Sequence, residues 1–275
     1  MICFFDNIFT EDSLEKKYTI YSSNPNLPAL VIIPGLDGIL TTFQDIVPML
    51  TPHYRVIQFY LPLLSHEMDP KDYTFTYLAS ELKLVLDELK IDKAVLVGES
   101  FGGIIAQHFA TQYPSQTDEL VLVSTISRTK LDPFIQLKVN LFLKPLQFIG
   151  MLNPGFAQTL FAHLHVGDVV EPHEPESLRS MFIKEASCAH FRSVMARINI
   201  ALQLDILHSV TSKIEGKRVM CLVGADDHFT SEMSMEVCNE LKKKNDVIVS
   251  NISGGHLITA SNPMAVVKSV LQLRK

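Results

Sequence analysis

The sequence predicts an α/β fold with a mostly parallel central sheet and helices on both faces, and three observations carry that prediction. Apolar runs of strand length recur between amphipathic helical stretches, the pattern of a sheet buried on both sides. A Gly98-Glu99-Ser100-Phe101-Gly102-Gly103 turn joins one such run directly to a helical stretch. The alternation stops near residue 126 and resumes near residue 217, and the chain between reads as helices and loops. With 275 residues, 47% of them hydrophobic, the chain holds enough apolar material for one large core. The expected organisation is a core of residues 1–125 and 217–275 carrying a helical cap or lid insertion, 126–216.

In chain order, Lys16 to Ser22 alternates polar and apolar residues and suits an antiparallel edge strand. The expected parallel strands are Ala29 to Ile33, Tyr54 to Tyr60, Lys93 to Val97, Glu119 to Val123, Arg218 to Val223 and Val247 to Ile252. Helices are expected over Thr42 to Leu50, Thr76 to Lys90, Ile104 to Tyr113, Ser231 to Lys243 and Pro263 to Leu273. In the second of these, Leu78, Leu82, Val85, Leu86 and Leu89 recur at spacings of three and four, leaving Glu81, Lys83, Asp87 and Glu88 for solvent. In the last, Asn262 is placed to cap the first turn and Pro263 suits the first helical position. Lys242-Lys243-Lys244 falls at a helix end, where cations meet the negative pole of the helix dipole.

The insertion begins just past the carboxyl end of a strand, the rim where open parallel sheets bind ligands, so it is expected to lie over Ser100 as a lid. It carries proline-bearing loops around Asn153-Pro154-Gly155 and from Val170 to Pro175. Its stretch from Phe134 to Met151, with Leu137, Leu141, Phe142 and Phe148, is unusually apolar. That stretch is either the insertion's own packing surface, a wall for an acyl chain, or a membrane-facing patch.

Several function classes are excluded by composition. A net charge of -6 argues against a nucleic-acid partner. Met1-Ile2-Cys3-Phe4-Phe5-Asp6 lacks a basic leader region, and Asp6, Glu11 and Asp12 interrupt any signal-like apolar stretch, so the expected location is cytoplasmic. No charge-free apolar run reaches the roughly 18 residues of a transmembrane helix. The cysteines Cys3, Cys188, Cys221 and Cys238 lie far apart without Cys-x-x-Cys spacing and read as reduced thiols. His163 and His165 have no acid or cysteine at convincing ligand spacing, so no metal is expected.

The Gly-x-Ser-x-Gly turn carries the chemistry. Between a strand and a helix it holds Ser100 in a strained conformation, and a Cβ at either flanking glycine would collide with the neighbouring strand or helix. The hydroxyl then stands at a helix N-terminus, whose partial positive charge favours a developing oxyanion. A serine nucleophile needs a neutral imidazole to take its proton and a carboxylate to orient that imidazole. His256 follows the strand Val247 to Ile252 in Gly254-Gly255-His256, on a loop at the same sheet edge. For the acid, the strand Arg218 to Val223 runs into Gly224-Ala225-Asp226-Asp227. Asp227 is preferred because an acid three residues past the glycine is the usual spacing, leaving Asp226 to cap the helix that follows. An oxyanion hole needs two inward N–H groups. One is assigned to Phe101, after the serine, and the other to Leu36, in the glycine-rich turn Pro34-Gly35-Leu36-Asp37-Gly38; the alternative is an ordinary tight turn.

Together these motifs resemble the α/β-hydrolase family, specifically its lidded serine hydrolases: carboxylesterases, thioesterases and lysophospholipase-like enzymes. The likeness covers about 27–123 and 217–273 and leaves out the insertion. Gly98 to Gly103 matches the family's nucleophile turn, Gly224 to Asp227 its acid turn, and Gly255-His256 followed by Asn262-Pro263 its base turn. Many relatives carry His-Gly at the oxyanion turn, where this chain has Pro34-Gly35 and, two residues on, Asp37. The donor is a backbone amide, so the hole does not need that histidine; Asp37 is expected to face away from the oxyanion or to bond local backbone. The resemblance implies hydrolysis of a small-molecule ester or thioester with an apolar acyl group through a covalent Ser100 ester, with no metal or organic cofactor, and with peripheral membrane contact through the lid as an option. The same residues would serve acyl transfer, lyase chemistry or carbon–carbon bond hydrolysis, and a non-catalytic binding or adaptor protein could retain the scaffold.

Overall fold

The structure is a computed structural model that describes residues 16–22, 24–129 and 133–273. The side chains of 133–136 and 138–140 lie outside that description, as do the amino-terminal residues on which the leader reading rests. Its sheet has seven strands, β1 (Tyr18–Ile20), β2 (Ala29–Ile33), β3 (Arg55–Phe59), β4 (Ala94–Glu99), β5 (Thr117–Val123), β6 (Arg218–Gly224) and β7 (Asp246–Ile252), in the order β1-β3-β2-β4-β5-β6-β7. All pairings are parallel except β1 against β3 at the edge. The expected strands are therefore present, with ends shifted by a residue or two.

Strand β2 shows why these segments read as continuous apolar runs. Leu30 and Ile32 enter one core with Phe43, Val56, Val95 and Val97, while Val31 and Ile33 enter the other with Ile57, Phe59 and Leu96. Alternate side chains thus feed opposite faces, and each face is roofed by helices. On one face lie α2 (Phe75–Glu88), α3 (Phe101–Gln112) and α8 (Ser231–Leu241); on the other lie α1 (Ile46–Leu50) and α10 (Pro263–Gln272). Helix α2 begins at Thr74, whose hydroxyl accepts from the Tyr77 N–H at 3.1 Å.

Two local expectations change. The helix expected over Thr42 to Leu50 is a 3-10 turn, Thr41–Phe43, followed by the short α1. The Thr42 hydroxyl bonds the Ile39 carbonyl at 3.3 Å and Glu99 at 3.3 Å, local and long-range ties that compete with a continuous helix. Asn262 does not cap α10. It also closes the preceding α9 (Ile258–Ser261), and its side-chain amide donates instead to the Ser253 carbonyl at 3.2 Å.

Between β5 and β6 run α4 (Pro133–Leu152), α5 (Pro154–Val169), α6 (Glu176–Ser187) and α7 (Phe191–Leu202). The expected loop at Asn153 shrinks to one residue, whose side chain caps α5 by accepting from the Phe156 N–H at 3.0 Å. Leu146 of α4, Phe161 of α5 and Val194 and Ile198 of α7 share a core that reaches Leu36. Val166 of α5 and Phe182 of α6 share a second with Leu257. The helical segment therefore packs against the loops after β2 and β7. Cys221 and Cys238 are free and buried, in keeping with reduced thiols, whereas Cys188 is disulfide-bonded.

Candidate active site

Ser100 stands between β4 and α3 with φ 52° and ψ -117°, a left-handed backbone that a residue with a Cβ adopts only under constraint. Its N–H donates to Val123 of β5 at 2.8 Å, and its carbonyl accepts from the Gly103 N–H at 3.0 Å and the Thr125 hydroxyl at 2.7 Å. The glycines make the approach possible. A Cβ on Gly98 would come within 2.6 Å of Gly102 and Gly103 backbone, and one on Gly102 would strike the Ile33 carbonyl. Gly102→Ala is expected to destabilise the fold by about 3 kcal/mol or more, because the obstacle is β2 backbone. Gly167, inside α5 with open space around it, is the control: alanine there should raise stability by about 1 kcal/mol. Thermal or denaturant melts of both variants check the pair.

The expected acid and base come from adjacent strands. Asp227 follows β6 and His256 follows β7, and both are buried, with Nδ1 of His256 3.0 Å from Oδ2 of Asp227. Oδ1 of Asp227 accepts the N–H groups of Phe229 and Thr230, each at 2.9 Å. The Thr230 hydroxyl lies 2.6 Å from Oδ2, 3.2 Å from His256 Nδ1 and 3.2 Å from the Ser124 carbonyl. Ser124 itself has φ 45°, which turns the end of β5 toward that hydroxyl. Burial alone would push the Asp227 carboxyl up, but the hydrogen bond and charge of His256, with the Thr230 donors, hold it at about 2. Asp226 does not cap α8: its Oδ2 accepts from the Gly254 N–H at 3.3 Å and lies 3.6 Å from His173. Both aspartates thereby hold the loop 254–256 or its imidazole.

Phe101 opens α3, so its N–H has no intrahelical acceptor and is free to donate across the site. Gly35 abuts Ser100, since a Cβ on it would sit 3.8 Å from the Ser100 Cβ. The turn after it is closed by Gly38 N–H to the Gly35 carbonyl at 3.0 Å. Asp37 does not face solvent. It is buried in the seam between this turn and α5, its Oδ2 3.9 Å from Nε2 of His165. Burial pushes its carboxyl up, partly offset by His165 and Arg197. Burial disfavours the His165 cation, yet Asp168 and Asp37 raise its pKa overall.

Other residues hold the site through contacts that no motif announces. Glu99, buried behind Ser100, accepts from Thr42 at 3.3 Å and from Thr259, three residues past His256, so it ties the segments after β2 and β7 together. Burial pushes its carboxyl up. Glu174 accepts from the Gly255 N–H at 3.0 Å, tying the loop before α6 to the loop that carries His256. Phe229 sets its ring edge-to-face against His256 with centroids 5.3 Å apart.

Comparison with known proteins agrees with this architecture. Residues 28–168 match the sequence profile described as the alpha/beta hydrolase fold. The chain is 25% identical over 245 residues to RutD of Pantoea ananatis, named for carbamate hydrolysis, an alignment covering 87% of this chain and 86% of that protein. Matches to several further curated relatives, such as YugF of Bacillus subtilis, span less than half of their length. Among solved structures, the enol-lactonase from Burkholderia xenovorans LB400 superposes with a TM-score of 0.79 at 16% identity, covering 94% of this chain and 96% of that one. A thermophilic esterase from Thermogutta terrifontis gives 0.74 at 21% identity over 94% and 92%. At these identities the structural likeness speaks for the fold, while the profile match over half the chain speaks for descent. The chain belongs to the α/β-hydrolase fold family.

Proposed function

We propose that this protein is a serine hydrolase that cleaves a carboxylic ester or thioester of a small to medium apolar acyl group through an acyl-Ser100 intermediate. The observation that supports it most is the buried Asp227–His256 pair at 3.0 Å, at the same end of the sheet as a serine held at φ 52°. In this reading Ser100 Oγ attacks the carbonyl carbon while Nε2 of His256 takes its proton. The Phe101 and Leu36 amides receive the oxyanion. His256 then gives the proton to the departing alcohol or thiol as the carbon–oxygen or carbon–sulfur bond breaks. Water repeats the sequence on the acyl-serine, releasing the acid and restoring Ser100. No step calls on a metal or organic cofactor.

The segment 126–216 is the cap of this reading: Leu36 and Leu257, beside the proposed catalytic groups, pack against its helices, and Phe229 lies against His256. No helix among the described residues is long and apolar enough to cross a membrane. Exposed Phe142, Phe148, Met151 and Leu152 along α4 suit peripheral contact with an apolar surface that delivers such substrates. A fluorophosphonate probe followed by mass spectrometry of the adduct tests the proposal. Labelling confined to Ser100 is the expected result, and a chain that stays unlabelled while folded would defeat it.

A further inference from the structure

We propose that Arg197 is a positioning residue for the oxyanion hole: from α7 it locks the Leu36 carbonyl and so holds in one conformation the turn that carries the Leu36 N–H. The inference rests on the assignment of that N–H under the hydrolase reading and adds to it a residue with no motif of its own.

Arg197 is only 3% exposed, and among the described residues no carboxylate stands within ion-pair distance of it. Its guanidinium is spent on neutral oxygens. Nη1 donates to the Leu36 carbonyl at 3.1 Å, Nη2 to the carbonyls of Leu61 at 3.3 Å and Pro62 at 3.2 Å, and Nε to the Tyr73 hydroxyl at 3.1 Å. Burying a cation this way is costly, and an apolar side chain would serve packing better. What the guanidinium provides is a fixed fork of donors.

The geometry gives that fork a task. Gly35 to Gly38 is a turn closed by its outer hydrogen bond, so Leu36-Asp37 is the central peptide, the one whose flip interconverts the common turn types. Holding the Leu36 carbonyl selects one orientation by setting ψ of Leu36 and φ of Asp37, while the Gly38-to-Gly35 bond holds the preceding peptide, which carries the Leu36 N–H. Gly38 makes room for the fork: at φ 74°, a Cβ on it would lie 3.4 Å from Nη1. One turn earlier on α7, Ser193 accepts from the Leu64 N–H at 2.8 Å. Helix α7 is thus anchored to the loops after β2 and β3, and the positive charge it brings partly offsets the upward push that burial gives the Asp37 carboxyl.

The test compares wild type with Arg197→Lys, Arg197→Ala and Tyr73→Phe, using a p-nitrophenyl acyl ester and a reversible boronic acid that mimics the tetrahedral adduct. Arg197→Lys is expected to lower kcat about 10- to 100-fold with KM changed less than about threefold. Boronate affinity should fall by the same factor as kcat/KM, and millimolar guanidinium should restore part of the Arg197→Ala activity. Tyr73→Phe removes one acceptor without touching the charge and covers the case in which Arg197→Ala does not fold; it should show a smaller loss, again in kcat. Folded variants that keep wild-type kcat and boronate affinity, or that lose activity through KM alone, would overturn the role of Arg197. Wild type that neither hydrolyses esters nor reacts with fluorophosphonate would instead remove the hydrolase reading and this inference with it.

Discussion

Replacing Ser100 by alanine is expected to lower ester hydrolysis by about 10⁴- to 10⁶-fold and to leave the melting temperature within a degree or two of wild type. The two halves of this expectation have separate physical origins. Activity falls because covalent catalysis loses its only attacking atom, and whatever rate survives comes from binding and oxyanion stabilisation of direct water attack. Stability holds because the elbow is maintained by the Ser100 backbone, through Val123, Gly103 and Thr125, and not by its hydroxyl. Alanine keeps the Cβ and therefore the strain of φ 52°. Glycine would release it, so Ser100→Gly should be as inactive but more stable by about 1 kcal/mol. Steady-state turnover of a chromogenic ester, read beside thermal melts of the three proteins, checks both halves. Equal turnover by Ser100→Ala and wild type would place the chemistry elsewhere.

Ser100 and its glycines were legible because the steric problem they solve is local. A strand must turn into a helix within a few residues, and Gly98 and Gly102 leave the space for it. The strands were legible for a related reason: a segment buried on both faces, such as Ala29–Ile33, must be apolar at every position. Asp227 and His256 could be read from their places after strands β6 and β7. What the sequence hides is whatever depends on two distant segments meeting. Arg197 looks like any arginine on an amphipathic helix until the loops after β2 and β3 surround it. Glu99 lies inside the recognised turn, yet its work depends on Thr42 and Thr259, 57 and 160 residues away. Asn262 failed as a cap for the same reason, since its amide answered to Ser253 in a loop no local rule places beside it.

Asp227→Asn is the more discriminating substitution, because the surroundings dictate which way the amide points. The Phe229 and Thr230 N–H groups both donate to Oδ1, so the asparagine oxygen must occupy that position. Its NH2 then takes the place of Oδ2, 3.0 Å from Nδ1 of His256. Facing a donor, Nδ1 must become the acceptor, which moves the imidazole proton to Nε2, the atom that has to accept from Ser100. A loss of about 10³- to 10⁴-fold in kcat follows, with KM little changed. The same substitution tests the electrostatics without reference to substrate. The folded Asp227 carboxyl is depressed from 3.8 to about 2, so its contribution is fully present above pH 4 and disappears as pH falls through 2. That difference amounts to about 2 kcal/mol. Wild type should therefore lose stability across pH 4 to 2 more steeply than Asp227→Asn, whose amide does not titrate. Parallel acid profiles for the two proteins would show that the carboxylate and imidazole are not paired as drawn, and the tautomer argument would fall with them.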